Sequence, residues 1–379
     1  MKILQILPSL ETGGVERGTV EMVQAVVAAG GDALVASAGG RMVAHVERAG
    51  GRHLPVPLLT KDPVNILINA RRLARLMRRN SVDLVHARSR APAWSAWLAA
   101  RRLGIPFVTT WHGVYGEDFP GKHLYNSVMA RGERVIAISR FVAEQVTAGY
   151  GVPPDRLRIV PRGVDTKLFD PGQVFGDRVH RLAQAWRVPE GARVVMLPAR
   201  LTRWKGASML LDAVAGLIRA EAEGEPIHCL LVGSDQGRDD FSRALEAQAG
   251  RLGIAARLRL CGHCDDMPAA LMLADVVVSA SQKPEPFGRS IIEAQAMGRP
   301  VVAFGAGGAA ETVQDEVTGF LVPPGDGAAL GQAIGRALAL SPSERDTLGY
   351  QARAAVLAGY TTAAMQAATL DIYREVIAR

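Results

Sequence analysis

The sequence predicts an α/β protein of two domains, each a parallel sheet flanked by helices, and three observations carry that expectation. Short β-branched runs such as Val276-Val277-Val278 alternate with segments of helical spacing, as parallel strands joined by crossover helices require. Glycine and proline punctuate the ends of these segments, where the chain has to turn. At 379 residues the chain exceeds what one hydrophobic core usually supports.

Taken in order, the first half offers strands at residues 2–7, 33–36, 83–87, 106–110 and 134–138. The opening run Met1-Lys2-Ile3-Leu4-Gln5-Ile6-Leu7 is short for a signal sequence and has no cleavage-type spacing. It breaks into Glu11-Thr12-Gly13-Gly14, so it reads as a first strand. Gly13 and Gly14 precede a helical segment over 15–28, and glycines there permit close approach of a phosphate or sugar. No Gly-x-Gly-x-x-Gly follows this strand and no Gly-x4-Gly-Lys-Ser/Thr occurs, which argues against a dinucleotide dehydrogenase and a P-loop NTPase. Residues 65–80 place Ile66, Ala70, Leu73 and Met77 on one helical stripe, with Arg71, Arg72, Arg75, Arg78 and Arg79 on the other side. Such a face is either a solvated helix surface or a patch for an acidic acceptor or a membrane. Arg88, Arg90, Arg101 and Arg102 add positive charge nearby in sequence.

Thr109-Thr110-Trp111-His112-Gly113 ends the strand at 106–110. Ligands of open parallel sheets gather at strand carboxyl ends, which is where this sets His112. There it can contact a sugar hydroxyl, steady charge during bond cleavage, or serve only the fold. The passage Arg158-Ile159-Val160-Pro161-Arg162-Gly163-Val164-Asp165, followed by Phe169-Asp170-Pro171, marks the crossing between domains, expected as 1–165 and 166–361.

The second half opens with a strand at 193–197, then Arg200-Leu201-Thr202-Arg203-Trp204-Lys205-Gly206 and a helix. Arg200 and Lys205 lie at a strand's carboxyl end, and a guanidinium fork with an ammonium at a helix start suits a diphosphate. They would also stabilise the charge that develops when a nucleoside diphosphate leaves. Arg203 is a further candidate for that task. Strands follow at 230–234 and 258–261. Cys261-Gly262-His263-Cys264 is a C-x-x-C, but no second cysteine pair exists to complete a structural zinc site, so no metal is expected.

The strand at 274–279 leads into Pro284-Glu285-Pro286-Phe287-Gly288-Arg289 and a helix over 290–297, which Gly298-Arg299-Pro300 ends. Helix-start N–H groups and a glycine at such a turn let the main chain meet a ligand. Glu285 and Glu293 flank the turn, and carboxylates beside backbone donors suit a polyhydroxylated ligand, because each accepts hydrogen bonds from neighbouring hydroxyls. A last strand at 300–304 enters Gly305-Ala306-Gly307-Gly308, a turn that either faces a diphosphate or only reverses the chain.

Glu-x7-Glu from Glu285 to Glu293, opening in Pro284–Arg289 and continued by Glu293-Ala294-Gln295-Ala296-Met297-Gly298-Arg299-Pro300-Val301-Val302-Ala303, resembles the retaining nucleotide-sugar glycosyltransferases of family 4. Gly163-Val164-Asp165 and Thr318-Gly319-Phe320-Leu321-Val322-Pro323-Pro324-Gly325-Asp326 match that family's linker and closing strand. The resemblance implies the GT-B fold, two Rossmann-like doubly wound domains facing across a cleft. It implies an acceptor-binding domain over 1–165, completed by a C-terminal helix at 362–379, and a nucleotide-sugar domain over 166–361. His112, Arg200, Lys205 and Glu285 are then the expected catalytic residues. Gly13, Gly14, Gly262, His263, Phe287, Gly288, Arg289 and Glu293 are the expected donor-binding residues. The implied reaction needs no metal or cofactor beyond the nucleotide-diphosphate sugar, and moves a hexose to a cell-envelope saccharide or a lipid-linked acceptor. A nucleotide-sugar epimerase and a non-catalytic binding protein of the same fold remain alternatives here.

Charge and composition set the partners. Residues 1–165 hold 22 Lys and Arg against 13 Asp and Glu, while residues 166–379 hold 22 against 24, so the overall +7 resides in the first half. A basic half implies an acidic partner or an anionic membrane surface. Nucleic acid is not expected, since no reader motif or stacking pattern accompanies the charge. With three cysteines, no export signal and no apolar run near the ~20 residues that span a bilayer, the expected place is the cytoplasm, peripheral to the inner face of the membrane.

Overall fold

The computed structural model describes residues 1–11, 13–116, 120–220, 226–237 and 239–378. The chain divides into unit 1, Met1–Pro161 with Thr362–Arg379, and unit 2, Arg162–Thr361.

Unit 1 is built on β1 (Lys2–Ile6), β2 (Asp32–Ser37), β3 (Arg52–Pro55), β4 (Leu84–Ala87), β5 (Phe107–Trp111), β6 (Arg134–Ala137) and β7 (Leu157–Ile159). They form one parallel sheet in the order β3-β2-β1-β4-β5-β6-β7. The central strands are covered on both faces and are buried nearly throughout. Two strands were not expected from sequence. β3, Arg52-His53-Leu54-Pro55, and β7, Leu157-Arg158-Ile159, are the two edges of the sheet, have one neighbour each, and are only partly buried. β7 also shortens the domain-crossing passage, whose first residues are sheet.

The helix Pro63–Asn80 starts where Asp62 accepts the Asn65 N–H at 2.8 Å and Pro63 fills the first position. It buries Asn69, Ala70, Leu73, Ala74 and Met77, and Arg71, Arg72, Arg75, Arg78 and Arg79 are exposed. The final helix, Thr362–Ile377, returns to this unit. Its Met365, Leu370, Ile372, Tyr373 and Val376 enter the same core as Ile3, Val35, Leu84 and Val108. Tyr373 Oη lies 2.6 Å from His86 Nδ1, and His86 Nε2 lies 2.7 Å from Thr110 Oγ1. Glu375 accepts from Arg134 Nε at 3.1 Å and Arg158 Nη2 at 3.2 Å, which ties the helix to β6 and β7.

Unit 2 contains β8 (Arg193–Pro198), β9 (Ile227–Val232), β10 (Leu258–Gly262), β11 (Val276–Ser279), β12 (Val301–Phe304) and β13 (Phe320–Val322). They pair in parallel in the order β10-β9-β8-β11-β12-β13. The core between this sheet and its helices includes Val195, Leu197, Leu210, Leu231, Val278, Val302 and Ile334.

Candidate active site

The strand order of unit 2 decides where a ligand can lie. From β8 the chain winds outward to β9 and β10, then crosses back to β11 on the other side of β8. Loops leaving the carboxyl ends of β8 and β11 therefore part in opposite directions, and the space between them is the ligand crevice of doubly wound sheets. Lys205 follows β8 and Glu285 follows β11. Although 80 residues apart, they meet: Lys205 Nζ pairs with Glu285 Oε1, and Ser281 Oγ donates to the same oxygen.

Gly206 permits this meeting. Its φ is 78°, and a Cβ there would collide with the carbonyl of Ala280 at the end of β11. With the main chains this close, the Gln282 N–H donates to the Trp204 carbonyl at 2.8 Å, and Lys205 Nζ sits 4.2 Å from the centre of the Trp204 ring. From the other side the glycine turn after β12 buttresses Glu285. Glu285 pairs with Gly307 in an isolated parallel bridge, and the Gly308 N–H donates to the Glu285 carbonyl at 2.7 Å. That turn fixes the Glu285 main chain as well as reversing the chain.

Gly288, with φ 85°, begins the helix Arg289–Ala296, and no side chain caps this start. Its first-turn N–H groups are therefore not committed to a capping side chain. Phe287 is 4% exposed, and its ring packs edge-on against Tyr360 at 5.9 Å, so only its main chain can serve a ligand. Arg289 Nε lies 3.8 Å from Glu293 Oε1 one turn along, and Glu293 is buried. Arg200 follows β8 directly and is exposed. Arg203 lies over the Phe241 ring at 5.4 Å, which gives it a different neighbour from Lys205. Gly262 ends β10 with φ 67°, at a break in the β9–β10 register, and His263 Nε2 is 3.1 Å from Asp265 Oδ1 on the surface. The structure thus joins Lys205, Glu285 and the Arg289–Glu293 helix around one strand reversal, and places Gly262 and His263 on the loop two strands out. Ser281 had little sequence signal: a hydroxyl four residues before Glu285, one of many serines beside turns.

In unit 1 the sheet reverses between β1 and β4. Gly13 is the N-cap of the helix Gly14–Ala28 beyond β1; its φ of 171° is extended backbone open to any residue, and no side chain caps the helix. His112 directly follows β5 and is half-buried. Three residues on, the Tyr115 ring packs against Trp111 at 4.7 Å and beneath the Arg90 guanidinium at 4.0 Å, and burial pushes its phenol up to about 12. Arg88 corrects an expectation. Counted from sequence with the surface charge, it is 3% exposed, and its Nη1 donates to Gln5 Oε1 at 3.2 Å. Burial lowers its pKa, and Tyr373, Glu21 and Glu16 partly offset that effect.

Among the described residues no group of three or more His, Cys, Asp and Glu stands together in a way that holds a metal ion. Cys261 and Cys264 are half-buried free thiols, and burial pushes Cys261 up to about 12.

The chain is similar to known proteins. The family described as "Glycosyltransferase Family 4" matches residues 12–168, and that described as "Glycosyl transferases group 1" matches residues 192–339. A D-inositol 3-phosphate glycosyltransferase of Xylanimonas cellulosilytica is 32% identical over 314 residues, 78% of this chain and 73% of its own. A crystal structure of a glycosyltransferase from Rickettsia africae superposes with a TM-score of 0.91 at 33% identity, over 99% of this chain and 98% of that one. Anabaena HepE in complex with UDP-glucose superposes with a TM-score of 0.86 at 25% identity, over 99% of this chain and all (100%) of its own. The chain belongs to glycosyltransferase family 4, and it is a glycosyltransferase of the GT-B fold.

Proposed function

We propose that this glycosyltransferase moves a hexose from a nucleotide-diphosphate sugar to a cell-envelope saccharide or lipid-linked acceptor, with retention at the anomeric carbon and without a metal. The observation that carries the reading is the meeting of Lys205 with Glu285 at the strand reversal of unit 2, beside the uncapped start of the helix Arg289–Ala296. A cation and a carboxylate held side by side recognise the two ends of a nucleotide sugar's reacting group, its diphosphate and its hydroxyls. That HepE of Anabaena was crystallised with UDP-glucose supports a donor of this class.

In this reading Lys205 and Arg200 neutralise the diphosphate as the glycosidic bond to it breaks, the charge stabilisation that a divalent cation supplies in other transferases. Glu285 accepts from sugar hydroxyls, and the main-chain N–H groups of Phe287 and Gly288 donate to them. Arg289 orients Glu293, which accepts from the ribose hydroxyls, and Gly262 and His263 flank the base. The acceptor hydroxyl attacks the face that the diphosphate leaves and passes its proton to the departing phosphate oxygen. His112, Gly13 and Gly14 are assigned to the donor on the family resemblance, and each stands at the carboxyl edge of the unit 1 sheet. Acceptors of this class place the enzyme in the cytoplasm, peripheral to the inner face of the membrane.

A thermal-shift panel of UDP- and GDP-sugars tests the donor. A nucleotide sugar at 100 times its Kd stabilises the folded state by about 2.7 kcal/mol, so one donor should raise the melting temperature measurably. The reading fails if none does.

A further inference from the structure

We infer that Trp204 is a positioning residue of the transfer reaction: its ring holds the Lys205 ammonium at the strand reversal of unit 2 without cancelling the charge that a diphosphate needs. The inference deepens the proposed donor chemistry and rests on the assignment of Lys205 to the diphosphate.

A lysine carries its charge on a flexible four-carbon stem, so an ammonium that must meet a diphosphate has to be held by its surroundings. Two groups hold this one. Lys205 Nζ pairs with Glu285 Oε1, and it lies 4.2 Å from the centre of the Trp204 ring. The second contact is not imposed by adjacency in sequence. Arg203–Lys205 is a 3-10 turn, on which consecutive side chains diverge by about 120°. Lys205 nonetheless brings its ammonium over the ring of the preceding residue. Trp204 is fixed in turn from the neighbouring loop. The Gln282 N–H beyond β11 donates to its carbonyl at 2.8 Å, and Gly206 closes the turn against the Ala280 carbonyl. Trp204 therefore ties the loop that carries Lys205 to the loop that carries Glu285.

The two partners of the ammonium differ in what they leave to a donor. In the proposed reaction Glu285 turns to sugar hydroxyls and Lys205 to the diphosphate, so their pair has to open or be shared. A ring attracts the ammonium through the negative face of its quadrupole and leaves the full positive charge in place. A second carboxylate there would fix Lys205 as firmly but neutralise it before the donor arrived. The Lys205 side chain is only 18% exposed, and cation–π attraction is strongest where water is excluded.

The test reads nucleoside diphosphate released from each UDP- and GDP-sugar of the thermal-shift panel, with water as acceptor. Trp204→Leu, apolar but without a ring face, should lower kcat by roughly threefold to thirtyfold. Donor KM should move by less than about threefold, because charge on the leaving diphosphate grows as the bond breaks. Trp204→Phe, which keeps a ring face, should recover most of the loss, and Trp204→Met takes the place of the leucine variant if that one does not fold. In a Lys205→Ala background, Trp204→Leu should cost less than about twofold more, since the ring acts through the ammonium. Equal losses from Phe and Leu, or the full Leu loss in the Lys205→Ala background, would show a ring that only packs the loop and overturn the inference. A Lys205→Ala loss beside parent kcat in Trp204→Leu overturns this inference alone. Parent kcat in Lys205→Ala, or no turnover of any nucleotide sugar by the parent chain, overturns the donor reading beneath it.

Discussion

Lys205 and Glu285 face each other with side chains only 18% and 10% open to solvent, a setting in which either charge alone is costly. That mutual dependence makes Lys205→Ala informative. Turnover should fall more than about tenfold as the diphosphate loses its cation, while far-UV circular dichroism stays unchanged. Near-normal turnover would remove Lys205 from the role. Ser281→Ala, which takes one hydrogen bond of about 0.5–1.5 kcal/mol from Glu285, should cost severalfold and leave nucleotide binding in place. At this scale the sequence was legible where chemistry and position agreed. Lys205 and Glu285 stand at strand carboxyl ends and are residue types a nucleotide sugar requires. Ser281 was not, because a serine near a turn has many ordinary reasons to be there. Arg88 misled, because an arginine among arginines reads as surface, and only the fold shows it buried against Gln5.

Elements were legible in proportion to their burial. β8, β9, β11 and β12 are apolar runs because both faces are covered, and the sequence shows them as such. β3 and β7 answer only one neighbouring strand, and polar residues such as Arg52, His53 and Arg158 break up these short strands, so they carry no comparable signal. Lys205 and Glu285 were expected at one sugar, but the close approach of the β8 and β11 loops was hidden, because it depends on Gly206, which reads from sequence as an ordinary helix-start glycine. Gly206→Ala should therefore be damaging. Left-handed backbone costs a non-glycine residue roughly 1–2 kcal/mol, and the new methyl must also push the Ala280 carbonyl away. The expected outcome is a lower melting temperature together with loss of the donor-induced shift, since Lys205 moves with the loop. Gly149→Ala is the matched control: it lies in the helix Arg140–Tyr150 with open space around a Cβ, and should raise stability by about 0.5–1 kcal/mol. Equal effects of the two substitutions would remove the close-approach argument.

The whole chain enters unit 1, builds unit 2 and returns to finish unit 1, and the return is fixed by groups far apart in sequence. His86 and Tyr373 are 287 positions apart, so no local pattern could pair them; the family resemblance implied that the last helix completes the first domain, but not which residues hold it there. Their contact gives folding a pH dependence. Burial, reinforced by Arg88, holds His86 well below its ordinary value of 6.5, and burial lowers His53 as well. Below about pH 6.5 the unfolded chain takes up protons that these folded imidazoles refuse, so stability is complete above that pH and declines as pH falls toward the folded values. Buried His86 contributes up to about 1.4 kcal/mol per pH unit in that window, and the partly exposed His53 a smaller share, before carboxylates begin to titrate. Melting temperatures should accordingly fall from pH 7.5 to about 5.5 in the parent protein. His86→Gln can still hydrogen-bond Tyr373 or Thr110 but has no proton to gain. It should melt lower at neutral pH and lose the larger part of the slope, with His53 accounting for what remains. A slope identical to the parent's would show that the acid sensitivity arises elsewhere than at this junction of first sheet and last helix.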